Sequence, residues 1–369
     1  MKFLLKLIEQ YKKLIAIILI TTLGTFFLAK ISYVLLTNTD ASILDLLRQW
    51  DVIRYLIVAD KGYVVAVSQD PTLIAVFPLY PSLISLLAIF VKDLMLSALI
   101  ISNVAFAIAC LYLYKLSLLD NKKKLAINTV LYLSIFPTAY FLHTGYTESL
   151  FLALAIPSFY YARKGNWFLA CVLGMISSLV RITGVALFLG LVFEYLHQRK
   201  FKLNLIRRNV FLLALIPLGL LFFLFINYHI FGDPFEFVSN QSYFHRYVAP
   251  FWEGLTNALQ ATQIRSPNEK LMIGYAEAIA GLIGLIASLL AFKYLRPSYA
   301  VYMIVALFIV TFNSFWIGTP RYLLSLFPMF ILVSKFTDKK ESLHFLLVFI
   351  SLTLFTIFLS LFVKGWWAF

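Results

Sequence analysis

The chain has 369 residues, of which 62% are hydrophobic and 13% charged, with a mean hydropathy of +0.89. Soluble domains carry about 25% charged residues, so the composition excludes a soluble globular protein and specifies an integral membrane protein. The net charge of +14 is not arranged as a basic stripe with interleaved aromatics, which argues against a nucleic-acid partner and leaves positive charge to orient the spans.

Apolar runs that continue for roughly 20 residues call for membrane-spanning helices, because barrel strands would alternate over about 10. Residues 1 to 13 carry Lys2, Lys6, Lys12 and Lys13, and the run Leu14 to Leu36 follows them. With no small-residue cleavage pattern behind a short apolar core, this reads as a retained signal anchor with a cytoplasmic N-terminus. A first external loop is expected over about 37 to 73. It holds five of the nine aspartates, Asp40, Asp45, Asp51, Asp60 and Asp70. Within it Ile43, Leu46, Leu47, Trp50, Ile53, Leu56 and Ile57 recur at spacings of three and four, which predicts an amphipathic helix lying along the membrane surface with Asp51 at its edge.

Pro78 and Pro81 break any continuous helix after this loop. One span from about Leu94 to Leu118, preceded by a short re-entrant helix after Pro81, places Lys122, Lys123 and Lys124 inside, as the positive-inside tendency requires. Further crossings are expected at Leu125 to Leu142 and Leu150 to Tyr161. The 30-residue apolar stretch Trp167 to Leu196 has basic clusters at both ends, so it should fold back near Ser177 to Gly184. Val210 to Phe231 leads to a second external loop over about 232 to 270. Crossings at about Leu271 to Phe292, Tyr299 to Phe315, Tyr322 to Val333 and Phe345 to Val363 complete the map. Most of the 31 lysines and arginines then fall on the cytoplasmic side. Cys110 and Cys171 lie inside apolar runs, which argues against a disulfide framework or a thiolate metal site. The expected architecture is an all-α polytopic membrane protein, a single domain over 1–369 with about nine to eleven spans.

Several polar residues in this hydrocarbon-rich chain are candidates for chemistry. Asp51 reads either as a surface carboxylate paired with Arg48 or Arg54, or as a general base in a half-buried site. Trp50 would wall such a site or anchor the helix in the interfacial aromatic belt. Glu148 starts an apolar run, as an ordinary helix start or as a binding carboxylate. Arg181 lies within an apolar hairpin, where an unpaired charge costs several kcal/mol and function is the better explanation. Arg321 opens a span and would either grip phosphate oxygens through its guanidinium fork or snorkel to lipid headgroups. In the second loop Gln241, His245 and Arg246 offer hydrogen-bond donors, or are simple loop polars. There is no Asp-x-Asp pair, no His/Glu cluster at metal-ligand spacing and no phosphate-cradling glycine loop, so the sequence names no cofactor and does not fix metal dependence. That pattern favours a lipid-phosphate donor on the outer face over a cytoplasmic nucleotide sugar.

In order along the chain, Trp50-Asp51, Ala59-Asp60-Lys61-Gly62-Tyr63, Phe77-Pro78-Leu79-Tyr80-Pro81, Tyr146-Thr147-Glu148-Ser149-Leu150-Phe151, Arg181-Ile182-Thr183-Gly184, Gly232-Asp233-Pro234 with Gln241, and Thr319-Pro320-Arg321-Tyr322 together resemble the motifs of the PIG-V family. Two departures stand out: Tyr243-Phe244 where the family often places a Trp, and Thr147 for a Ser. These polytopic mannosyltransferases belong to the GT-C class and use a lipid-phosphate sugar. The resemblance implies a GT-C-type fold with the catalytic carboxylate, here Asp51, on the first external loop. It also makes Glu148, Arg181, Gln241 and Arg321 candidates for donor and acceptor binding, to which Trp50 and His245 are added as substrate-binding candidates on their own chemistry. The partners implied are a polyprenyl-phosphate sugar donor and a lipid or glycan acceptor meeting at the extracytoplasmic face. A polytopic lipid or solute transporter is the alternative, since broken helices and a membrane-embedded arginine are also transporter features.

Overall fold

A computed structural model of the chain describes residues 2–264 and 270–369. Among the described residues it is entirely helical, as an apolar chain must be when every backbone group has to find its partner locally. Five segments are long and apolar enough to cross a membrane: Tyr11–Thr37, Leu94–Leu118, Arg208–Phe231, Lys270–Tyr294 and Glu341–Val363. Five shorter apolar helices accompany them, Leu79–Val91, Trp167–Ser178, Ile182–Gln198, Pro297–Thr311 and Pro328–Thr337. The protein is thus an all-α polytopic membrane protein.

The helices are named here in chain order. They are α1 (Lys2–Thr37), α2 (Asp51–Gln69), α3 (Leu79–Val91), α4 (Leu94–Leu118), α5 (Lys123–Ser134), α6 (Glu148–Arg163) and α7 (Trp167–Ser178). They continue with α8 (Ala186–Gln198), α9 (Leu215–Phe231), α10 (Phe251–Ile264), α11 (Ala276–Tyr294), α12 (Pro297–Thr311), α13 (Pro328–Thr337) and α14 (Glu341–Val363). Helix α6 packs between α4 and α7, α7 continues onto α9, and α8 packs on α12, which lies against α11. Their shared interior is one apolar cluster in which Phe106, Phe159, Tyr195, Tyr302 and Phe327 are fully buried.

The single span over Leu94–Leu118 and the hairpin across Trp167 to Gln198 are as expected from the sequence. In the hairpin Gly184 lies so close to the end of α7 that a Cβ there would meet the Ser177 carbonyl at 2.6 Å. Helix α3, with 13 residues, is about 20 Å long, short of the roughly 30 Å hydrocarbon core.

Other expectations are corrected. The surface helix does not run from Ile43 to Ile57. A four-residue turn, Ile43–Leu46, is followed by a break in which Trp50 adopts φ 52°, and α2 begins at Asp51 and continues to Gln69 across a kink at Gly62. Spacings of three and four describe both pieces but carry no information about the corner. The runs expected as spans at Leu125 to Leu142 and Tyr322 to Val333 are likewise broken. Helix α5 stops at Ser134 ahead of Pro137, and α13 starts only at Pro328, after two short turns over Thr319–Tyr322 and Leu323–Ser325. The second external loop is not a plain loop, because it contains α10 and the short turns Glu236–Ser239 and Asn240–Phe244. The two loops meet in a second apolar cluster, where Phe77 stacks on Phe223 at 4.0 Å and Phe237 meets both rings edge-on.

Candidate active site

Charged side chains gather where helices begin, end or break. Asp51 is the first residue of α2, and the helix N-terminus favours its ionised form. The corner before it is held from several sides. The Tyr146 hydroxyl donates to the Gln49 carbonyl at 3.3 Å, and the Trp50 indole packs edge-on against Trp367 at 5.2 Å.

Arg321 reaches this corner from the turn Thr319–Tyr322. That turn begins after Gly318, whose φ of 82° is favourable only for glycine. The carboxyl of Glu277, fully buried on α11, accepts the backbone N–H groups of Gly318 and Thr319 at 2.6 and 2.8 Å. A buried acid thereby takes up two orphan donors at the start of the turn and fixes where Arg321 emerges.

From there Arg321 Nη1 donates to Asp51 Oδ2 at 2.8 Å, and its Nε lies 3.3 Å from Glu148 Oε1. Glu148 opens α6 and is paired in turn with Arg181 Nη1, which also donates to Thr147 Oγ1 at 2.8 Å. The rings of Phe141, Tyr146 and Tyr322 lie 5.2–5.4 Å from the Arg321 guanidinium, and Tyr322 also faces Arg181 at 4.9 Å. Four charges from four distant segments thus form one chain, Asp51, Arg321, Glu148 and Arg181, inside an aromatic wall.

The cluster is graded in exposure. The Glu148 side chain is 1% exposed, Arg181 9%, Arg321 10% and Asp51 37%. Asp51 is therefore the open end. Burial pushes its carboxyl pKa up, but the charge and hydrogen bond of Arg321, with Arg54 and Arg181 behind it, more than offset this and hold it below the ordinary carboxylate value. Two buried groups keep unused capacity: Glu148 Oε2 and Arg321 Nε have no hydrogen-bond partner, the 3.3 Å approach of Nε to Glu148 being an ion-pair distance without hydrogen-bond alignment. One is an acceptor and the other a donor, and both are closed off from solvent in this arrangement.

Of the residues singled out in the sequence, Asp51, Glu148, Arg181 and Arg321 are brought together. Trp50 stands beside Asp51 but spends its ring on Trp367. Gln241 donates to the Phe237 carbonyl at 3.4 Å, and His245 is exposed at φ 54°, so both stay within their own loop. The neighbouring Arg246 instead bonds Asn313 Oδ1 at 3.2 Å and lies within electrostatic reach of Tyr322, Glu277 and Arg321. The pairing of Asp51 with Arg48 or Arg54 does not form, because Arg54 donates to the Thr72 carbonyl at 2.6 Å and Arg321 takes the carboxylate. Sequence reasoning missed Glu277. Its signal was available: a lone acid in an apolar run, the same cost argument that marked Arg181.

No family model matches the chain. A 142-residue stretch, 37% of the chain, is 31% identical to GPI mannosyltransferase 2 of Schizosaccharomyces pombe. The match spans 29% of that relative's length.

Proposed function

We propose that this chain is an integral-membrane glycosyltransferase of the PIG-V type, a mannosyltransferase that moves a sugar from a polyprenyl-phosphate donor to an acceptor hydroxyl on the extracytoplasmic face. The observation that carries the reading is the Asp51–Arg321–Glu148–Arg181 chain, in which a half-open carboxylate lies against a guanidinium with an unused N–H. The partial likeness to a mannosyltransferase supports the same chemistry.

In this reading the acceptor oxygen attacks the anomeric carbon as its proton passes to the Asp51 carboxylate. The carbon–oxygen bond to phosphate breaks with inversion, and its electron pair leaves on the phosphate oxygen. Arg321, with Arg181 behind it, stabilises the charge that develops there, the role for which a bidentate guanidinium suits phosphate. The resting Asp51–Arg321 pair adds a coupling. Arg321 holds the Asp51 pKa down, so a donor phosphate that draws Arg321 away raises the basicity of Asp51 when it is needed. In this reading Glu148 Oε2, buried and unbonded in the resting cluster, accepts from a sugar hydroxyl once the donor is seated.

The test is to incubate the purified protein in liposomes with radiolabelled polyprenyl-phosphate mannose and a lipid extract. Label moved covalently to an acceptor supports the reading. Flux of intact donor across the bilayer without transfer makes the protein a transporter instead.

A further inference from the structure

A second charged site lies at the other end of α6. Glu148 and Arg163 are the first and last residues of this 16-residue helix, about 22 Å apart along its axis. Around Arg163 every carboxylate oxygen already accepts a hydrogen bond. Asp120 accepts from Arg163 Nη1 and Nη2, one at each oxygen, both at 2.7 Å. Glu194, fully buried, accepts from Arg296 Nη2 and Gln198 at one oxygen and from Arg296 Nε and Ser298 at the other.

The donors are not saturated. Arg296 Nη1 has no acceptor among the described residues. His197 Nδ1 lies 3.0 Å from Arg296 Nη2, so it accepts and its proton is on Nε2. Lys335 spends one of its three N–H bonds on the Tyr294 carbonyl at 2.9 Å. Arg296, His197, Lys335 and Asn121 line one cavity of about 340 Å³, together with Asp120, whose two oxygens face Arg163. Among the described residues Arg163, Arg296 and Lys335 stand against Asp120 and Glu194, a surplus of one positive charge. Each carboxylate oxygen there is already engaged by a donor, whereas an anion would find three donors with unused N–H groups.

Depth in the membrane identifies the anion. The cavity is framed by the ends of α11 and α13 and the start of α12, and the ring of Tyr294 packs edge-on with Phe336 at its border. Helix ends and an aromatic border mark the headgroup level, where the prevailing anion is phosphate. We propose that this cavity binds a phosphate group, presented by a phospholipid headgroup or by free phosphate, at the end of α6 away from the Asp51 cluster.

The test is calorimetric titration of the full chain in neutral detergent with dioctanoyl phosphatidic acid, with dioctanoylglycerol as the same tail without phosphate, and with inorganic phosphate. The comparison is wild type against Lys335→Met and Lys335→Arg. Lys335 lies far from Asp51, so its substitution leaves any phosphate binding there untouched. Phosphatidic acid should bind the wild type about tenfold more tightly than Lys335→Met, the factor for one charge-assisted hydrogen bond, and Lys335→Arg should restore it. The same tenfold effect with inorganic phosphate identifies free phosphate as a sufficient ligand, and its restriction to phosphatidic acid identifies a lipid headgroup. Equal binding of dioctanoylglycerol and phosphatidic acid, or no difference between wild type and Lys335→Met for either phosphate probe, overturns the proposal.

Discussion

Replacing Glu277 by glutamine keeps the size of the side chain and removes one of its two acceptors. In the native turn both oxygens are used, by Gly318 N–H at 2.6 Å and Thr319 N–H at 2.8 Å, and the residue is fully buried. A carboxamide satisfies one of these donors with its oxygen and turns an NH₂ toward the other, which leaves a buried donor facing a donor. An unsatisfied buried N–H costs about 1 to 3 kcal/mol, so Glu277→Gln should lower stability by about 2 kcal/mol. Glu277→Ala, which also opens a cavity, should cost more. Because Arg321 follows Gly318 by three residues, the same change should raise the apparent KM for donor while helical content stays at the wild-type level. The assays are reversible unfolding in mixed micelles, far-UV circular dichroism and a donor titration. A stability change within about 0.5 kcal/mol, the range of an ordinary surface substitution, would refute the argument that Glu277 anchors the turn.

Three further outcomes follow from the cluster. Arg321→Gln removes the cation that holds the Asp51 pKa down, so the acid limb of kcat/KM, which reports the free enzyme, should move to higher pH; a shift to lower pH or none at all would contradict the pairing. Arg181→Met leaves Glu148 buried with only Arg321 beside it and should cost about 3 kcal/mol, while Arg181→Met combined with Glu148→Met should recover most of that loss because no lone charge remains; unfolding of both variants in micelles decides. Gly184→Ala places a Cβ 2.6 Å from the Ser177 carbonyl, so it should destabilise the α7–α8 hairpin by about 1 to 3 kcal/mol, measurable as a lower unfolding midpoint.

What the sequence disclosed divides along physical lines. Span α4 and the Trp167 to Gln198 hairpin were legible because hydropathy and basic flanks depend on composition alone. Asp51, Glu148, Arg181 and Arg321 were legible because a charge in a hydrocarbon-rich chain is costly, and the cost marks it whatever its partner. Their pairing was not, since the Asp51–Arg321 contact joins residues 270 positions apart and depends on two backbone corners. Trp50 at φ 52° interrupts a helix whose periodicity reads as continuous, and Gly318 at φ 82° opens a turn between two expected crossings whose geometry the sequence does not fix. Gln241 and His245 were chosen by residue type, but Arg246 faces the cluster, and position within an irregular loop decides which of three neighbours points inward. Glu277 had the same signature as Arg181 and escaped because the run around it reads as an ordinary span.

The central claim is that Asp51 is the base of a sugar transfer. Asp51→Asn keeps the shape of the side chain and its place at the start of α2 while removing the negative charge, so the direct measurement is transfer of labelled mannose from polyprenyl-phosphate mannose by purified Asp51→Asn beside the wild type, with circular dichroism to establish the fold. Loss of a general base lowers rates by about 10² to 10⁴, and the account predicts a fall of that size with helical content unchanged. Retention of more than about a tenth of the wild-type rate would contradict it.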